Sequence, residues 1–327
     1  MRTKVVSSLM ILLMIVVIGC SADQQTEKKD EKLKIGVIQI VEHPALDSAR
    51  NGFKDFLEEQ GYEEGTDVVY DYQNAQGDMS TAQTIAKTFS QKNLDMILSI
   101  ATPTSQAVAN SVKDTPILIT AVTDPKSAGL VEDMERPGAN LTGTSDLTPV
   151  AKQLDLFNKL NRDVKKVGIL YNSGETNSVF LKDLAKQKAE ELGLELIEAP
   201  VTSSSEVYQT AQSLVGRVDG IYVPTDNTIV SAIQSVIKVT NKNNLPLIVA
   251  DNNSVKEGAL ATLGIDYYKL GEQTGAMAQE VLNGANPGEM PIQRIEDADL
   301  IINLKAAEKM NIELPQSLID EAKKVIK

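Results

Sequence analysis

From residue 33 onward, short β-branched runs alternate with longer segments of helical period, and the same rhythm begins again near the middle of the chain. In the first round, strand-like runs fall at 34–41, 67–72, 96–100 and 117–121. Helical segments lie between them. The first, over 45–60, puts Leu46, Ala49, Phe53, Phe56 and Leu57 on one face and stops at Gly61. The second runs over 80–91 behind a capping Ser80, and Pro103 opens the third. The second round predicts helices at 149–160, 178–192, 204–215 and 227–241, with strands at 166–171, 195–199, 220–223 and 247–250. Such alternation forces parallel strands joined by helical crossovers, which must cover both faces of a sheet. The expected class is α/β, with two Rossmann-like lobes, each a parallel sheet flanked by helices.

The last third predicts a strand at 260–265, a helix at 267–283 stopped by Gly284, strands at 290–295 and 300–303, and helices at 304–310 and 315–326. A chain that crosses between lobes near 145, 252 and 288 leaves a hinged cleft. The expected first lobe is then 33–145 plus 253–288, and the second 146–252 plus 289–327.

The first 32 residues do not share this rhythm. A basic start (Arg2, Lys4) precedes an apolar run from Leu9 to Ile18, which ends in Val17-Ile18-Gly19-Cys20. The run is too short for a permanent bilayer helix. It has the layout of an export signal, and the four closing residues have the form of a bacterial lipobox. The expectation is cleavage after residue 19 and lipidation of Cys20, the only cysteine. Two acyl chains on that thioether would hold the protein at the outer face of the cytoplasmic membrane. Residues 20–32 are polar, charged and aperiodic, and read as a flexible tether.

Charge and composition exclude several functions. Loss of Arg2 and Lys4 takes the formal charge from −13 to −15, which does not suit nucleic acid. A lone cysteine allows no internal disulfide, and with a single histidine, His43, no zinc site is expected. No Gly-x-Ser-x-Gly elbow occurs, and neither a dinucleotide fingerprint nor a P-loop is present. No cofactor, no metal and no catalytic residue is expected. Asn140-Leu141-Thr142 matches a glycosylation sequon, read here as chance.

Ligands in open parallel sheets bind beyond the carboxyl ends of the strands. In the first round those loops are 39–43, Ala101-Thr102-Pro103-Thr104 and Thr123-Asp124-Pro125. In the second they are Tyr171-Asn172, Thr225-Asp226-Asn227 and Asp251-Asn252. The loop at Ala101 has two readings: an ordinary helix start, or a seat for a small anion built from free N–H groups and the hydroxyls of Thr102 and Thr104. Asp226 and Asp251 likewise either cap their helices or meet a ligand ammonium. Carboxylates on one lobe facing an anion seat on the other would suit a zwitterion.

These residues carry a family resemblance. The stretch Ile35-Gly36-Val37-Ile38-Gln39-Ile40-Val41-Glu42-His43-Pro44-Ala45-Leu46-Asp47 resembles the opening of the TrpX-like substrate-binding lipoproteins of ABC importers, which have a type I periplasmic-binding fold. The likeness continues at Ala101–Ala107, Thr123–Pro125, Val223–Asn227 and Asn303-Leu304-Lys305-Ala306-Ala307. The resemblance implies a monomer that captures an amino acid, often tryptophan, phenylalanine or tyrosine, and delivers it to an ABC permease. It implies that Thr102, Thr104 and Thr123 hold the ligand carboxylate, and that Asp226, with Asp251, meets the amine. It places Glu42 and His43 at the side-chain end of the pocket, with Ala101, Asp124, Thr225 and Asn227 in the surrounding loops. Tyr171 either closes over the ligand or packs in the second lobe. The alternatives are an exported sensor of the same fold and an exported α/β enzyme.

Overall fold

The computed structural model describes residues 32–327 apart from Glu296. The expected leader, Cys20 and the tether as far as residue 31 lie outside the described residues. In chain order the first strands are β1 (Leu33–Gln39), β2 (Val68–Asn74), β3 (Met96–Ile100), β4 (Ile117–Val122) and β5 (Leu141–Ser145). They alternate with helices α1 (Pro44–Glu59), α2 (Met79–Phe89) and α3 (Thr102–Ser111). The chain then crosses to a second body. There α4 (Val150–Asn158), α5 (Thr176–Glu191), α6 (Val207–Ser213), α7 (Asn227–Ser231), α8 (Ile233–Asn243) and α9 (Asn252–Glu257) surround β6 (Lys166–Asn172), β7 (Glu195–Val201), β8 (Gly220–Val223), β9 (Leu247–Val249) and β10 (Ala261–Gly264).

The closing segment shuttles. Helix α10 (Tyr267–Leu282) packs on α1, and β11 (Gln293–Arg294) pairs with β5, both in the first lobe. Strand β12 (Asp299–Asn303), α11 (Leu304–Lys309), α12 (Gln316–Glu321) and β13 (Lys324–Ile326) belong to the second.

The first sheet has the order β11-β5-β4-β3-β1-β2 and is parallel throughout. The second has the order β13-β12-β10-β9-β8-β6-β7 and is parallel except where β10 meets β12. The central strands β3 and β4 are buried residue by residue, as expected for a parallel sheet covered on both faces. Each lobe has its own apolar core, centred on Phe53, Phe89 and Ile97 in the first and on Phe157, Tyr222 and Ile248 in the second. Strand order reverses between β1 and β3 in one sheet and between β6 and β8 in the other, so the two crevices at these switch points face the same cleft.

The structure corrects three expectations. The chain does not return to the first lobe near 252. Strand β10 is a central strand between β9 and β12, so the crossing comes at Ile265 and Asp266, and the next follows β11 rather than falling near 288. A short apolar run such as 260–265 carries no mark of which sheet will take it. The expected helix at 315–326 stops at Glu321, and Lys324–Ile326 pairs in parallel with β12. Strand β5 was not expected, because its sequence Leu-Thr-Gly-Thr-Ser is polar. Its hydroxyls are nonetheless buried and partnered: Thr142 Oγ1 donates to Met290 O at 2.8 Å, and Ser145 Oγ to Thr123 O at 2.8 Å.

The seam between α1 and α10 is lined by glycine. A Cβ on Gly52 would lie 2.0 Å from Tyr268 O, and one on Gly271 would lie 2.0 Å from Ala49 O. Both clashes are with backbone, so side-chain rotation cannot relieve them. Gly271→Ala should therefore force the helices apart and cost about 2–3 kcal/mol or more in urea unfolding. A cost below about 0.5 kcal/mol would contradict this packing.

Candidate functional site

Gln39, at the end of β1, is fully buried and organises the turn that follows. Its amide donates to Val41 O and to Asp47 Oδ1, both at 2.9 Å, and its Oε1 accepts from Arg50 at 2.8 Å. The turn thereby aims His43 inward as the N-cap of α1, with Nδ1 accepting from Leu46 N at 3.5 Å. That bond leaves the proton of the neutral ring on Nε2, which is buried and meets no acceptor in full hydrogen-bond geometry, with the Asn227 side chain beside the ring. Burial holds the imidazole pKa down to about 4, against the opposing effect of the Asn227 side chain.

Facing this turn is a small, tightly closed cavity lined from both lobes. The first lobe contributes His43, Ala45, Leu46, Ala121 and Thr123. The second contributes Asn177, Thr225, Asp226, Asn227, Val230 and Asp251. Asp146 and Tyr267 enter from the crossovers between lobes. The lobes touch across it, where Thr123 Oγ1 lies 3.4 Å from Thr225 Oγ1, and again off its lining, where Gln106 Nε2 donates to Thr176 Oγ1 at 3.3 Å.

The electrostatics are one-sided. Three carboxylates line the cavity, Asp146, Asp226 and Asp251, all at most 3% exposed. Among the described residues no lysine or arginine lines it. Asp226 Oδ1 accepts from Ile229 N at 2.8 Å, capping α7, and Oδ2 accepts from Asn172 N at 2.5 Å. Asp251 caps α9 in the same way, with Ser254 N on Oδ1 at 2.8 Å and Ser254 Oγ on Oδ2 at 2.5 Å. Asp146 Oδ2 accepts from Tyr267 OH at 2.6 Å, while Oδ1 is buried and meets no donor in full hydrogen-bond geometry. Burial raises the pKa of all three, and burial together with neighbouring Glu175 pushes Asp226 up to about 7. Glu175 itself is held by neutral donors, Asn227 Nδ2 at 2.6 Å and Thr228 Oγ1 at 2.9 Å.

Of the residues expected at the site, the cavity brings together His43, Thr123, Thr225, Asp226, Asn227 and Asp251. The others lie off its lining. Glu42 is exposed and accepts from Tyr72 OH at 3.2 Å. Thr104 Oγ1 back-bonds to Ile100 O and Ala101 O, at 2.7 and 3.0 Å, as a threonine in a first helical turn often does. Thr102 is buried beside it, its hydroxyl without a partner. Ala101 is buried in a positive-φ conformation, +85°, at the start of α3. Asp124 is half-buried and caps its own turn through Ser127 N at 2.6 Å. Tyr171 packs in the second lobe, its hydroxyl donating to Glu198 at 3.3 Å and its ring 5.9 Å from Lys182 Nζ.

Reading the sequence missed Asp146, Asn177, Tyr267 and Ala121. The first and third lie on crossovers, where no helix or strand pattern points to them. Ala121 has φ +54°, a strained conformation of the kind held at ligand clamps, and nothing in an alanine signals it.

Over residues 34–326 the chain matches the model of the ABC transporter substrate binding protein family. A tyrosine-binding protein of Clostridioides difficile (strain R20291) is 45% identical over 287 residues, 87% of this chain and 83% of that one. The crystal structure of an ABC domain in complex with L-Trp from Streptococcus pneumonia superposes with a TM-score of 0.87 at 38% identity, covering 90% of this chain and 100% of that one. The ligand-free, open structure of a substrate binding protein with adhesive properties from Clostridium difficile is closer in sequence, at 43% identity, with 90% and 99% covered. It nevertheless superposes less well, with a TM-score of 0.67. In overall shape this chain is therefore more similar to the L-Trp complex than to the open structure. The fold is that of the type I periplasmic-binding proteins. With a family match over nearly all of the described residues and relatives above 40% identity, the chain belongs to the ABC transporter substrate-binding proteins.

Proposed function

We propose that this protein captures an aromatic amino acid in the cleft between its lobes and hands it to an ABC import permease. The observation that carries this reading is the cavity's polarity. Three buried carboxylates line it with no protein cation among the described residues, while His43 and the Thr123 hydroxyl face it from the first lobe. A zwitterion supplies the missing positive charge and a carboxylate for the donors. Ala45, Leu46, Ala121 and Val230 offer apolar surface for a ring. The names of the relatives, one tyrosine-binding and one bound to L-Trp, agree.

The mechanism is closure without bond chemistry. His43 is neutral, and its Nδ1 lone pair is taken by a backbone N–H, so it is not built as a general base. A ligand touching both lobes favours the closed state by its differential affinity for that state. Cys20 would carry the lipid, and residues 20–32 would let the body reach the permease at the outer membrane face.

Three outcomes test this reading. In a thermal-shift screen of the twenty amino acids, tyrosine, tryptophan or phenylalanine should raise the melting temperature while lysine and aspartate do not. No shift with any aromatic amino acid would contradict it. The pH dependence has a definite sign. Protons compete with the ligand ammonium for carboxylates whose pKa burial has raised, to about 7 at Asp226. Affinity should be full above pH 7 and fall as pH drops towards 5, by up to about tenfold per unit. Asp226→Asn keeps the cap on Ile229 N, gives up the acceptor for Asn172 N and removes one buried charge that attracts the ammonium; it should lower affinity at pH 8 and flatten this profile, and calorimetry showing an unaltered profile would mean that the Asp226 charge does not act on the ligand. Finally, Cys20→Ser should abolish palmitate labelling and release the protein from membranes, and retained labelling would contradict lipidation at that residue.

A further inference from the structure

We propose that Asp146, on the first crossover between the lobes, is the carboxylate that receives the ligand's ammonium group, with Tyr267 as its positioning residue. This rests on the amino-acid reading above and assigns its polar contact to a residue that the sequence did not single out.

The three cavity carboxylates differ in what their oxygens already do. Both oxygens of Asp226 accept backbone N–H groups, and both oxygens of Asp251 accept from Ser254. Those two side chains start helices α7 and α9 whether or not anything is bound. Asp146 caps nothing. One of its oxygens takes the Tyr267 hydroxyl; the other, in a residue only 3% exposed, meets no donor in full hydrogen-bond geometry, and only the neutral Thr123 hydroxyl and the residue's own backbone N–H help to offset its burial. A buried carboxylate oxygen left unpaired is costly, and among the described residues no lysine or arginine lines the cavity to answer it. A primary ammonium from outside the chain meets that need. Asn177 Oδ1, likewise buried, unpartnered and on the lining, offers a second acceptor of the same kind.

The placement links this contact to closure. Asp146 directly follows β5, and its backbone N–H is bonded to Val122 O at 3.2 Å. Tyr267 directly follows the second crossover and opens α10. Their hydrogen bond, 2.6 Å long, ties two crossovers together at the cavity wall. Swinging the lobes about the crossovers strains or turns this pair. A ligand ammonium on Asp146 Oδ1 therefore reports on, and fixes, the hinge angle.

Calorimetry with L-tyrosine and its desamino analogue, 3-(4-hydroxyphenyl)propionate, tests this on the wild type, Asp146→Asn and Tyr267→Phe. The wild type should prefer L-tyrosine by about 100-fold or more. Asp146→Asn still accepts the Tyr267 hydroxyl, and should lose that preference to below about threefold by weakening L-tyrosine alone. Tyr267→Phe should weaken L-tyrosine about three- to tenfold and leave the analogue nearly unchanged, so that the preference shrinks by that factor but survives. An Asp146→Asn variant that retains the wild-type preference overturns this proposal and leaves the amino-acid reading standing. Wild-type protein that binds no aromatic amino acid overturns both. Should Asp146→Asn not fold, a crystal structure of the wild type with L-tyrosine decides. The ligand nitrogen within hydrogen-bond distance of Asp146 Oδ1 supports the assignment, and a nitrogen held only by Asp226 or Asp251 overturns it.

Discussion

Negative charge buried without a counterion is the interaction on which the other features depend. Asp146, Asp226 and Asp251 meet where the lobes meet, Glu175 stands behind Asp226, and every donor found on them is neutral. Bringing the lobes together removes water from these groups, which disfavours their ionised form and raises their pKa. A closed, empty cleft is therefore electrostatically poor. A bound cation offsets the cost and makes closure depend on the ligand, because only a group that interacts better with the closed form can shift the equilibrium. Asp226 and Asp251 also start the helices behind them, so the same side chains specify local structure and concentrate charge.

The topology confines motion to a narrow place. The glycine seam between α1 and α10 locks the third passage of the chain onto the first lobe, and β10 and β12 lock the intervening and following passages into the second sheet. What joins the two lobes is a set of short crossovers. The comparison with the relatives agrees: the more identical, open structure superposes worse than the L-Trp complex, as expected if lobe disposition rather than lobe structure varies in this family.

Much of this was legible in the sequence, for physical reasons. Parallel strands buried on both faces leave apolar runs, so β3 and β8 lie where the sequence put them, at Met96–Ile100 and Gly220–Val223. Glycine stops and aspartate caps located the helix ends and, with them, Asp226 and Asp251. What failed was information held in pairing. β5 hides because its core contacts are threonine hydroxyls, and β13 because three residues take their strand identity from the neighbour β12. The helix expected at 227–241 is broken at Ala232, which no breaker residue marks. A helix start and a ligand seat use the same residues, so the loop at Thr102 and Thr104 has two readings; the back-bonded hydroxyl of Thr104 favours the helix start for that residue, while the Thr102 hydroxyl makes no such bond. The hydrogen-bonded pair Asp146 and Tyr267 is 121 residues apart and carries no local signature.

Small-angle X-ray scattering of the protein with and without a saturating aromatic amino acid tests the central claim most directly. If a dipolar ligand neutralises the buried acids and clamps the lobes, the radius of gyration should contract on binding to the value calculated for the closed form described here. An unchanged scattering curve under conditions where calorimetry shows the site filled would mean that the ligand does not govern closure, and the account would be wrong.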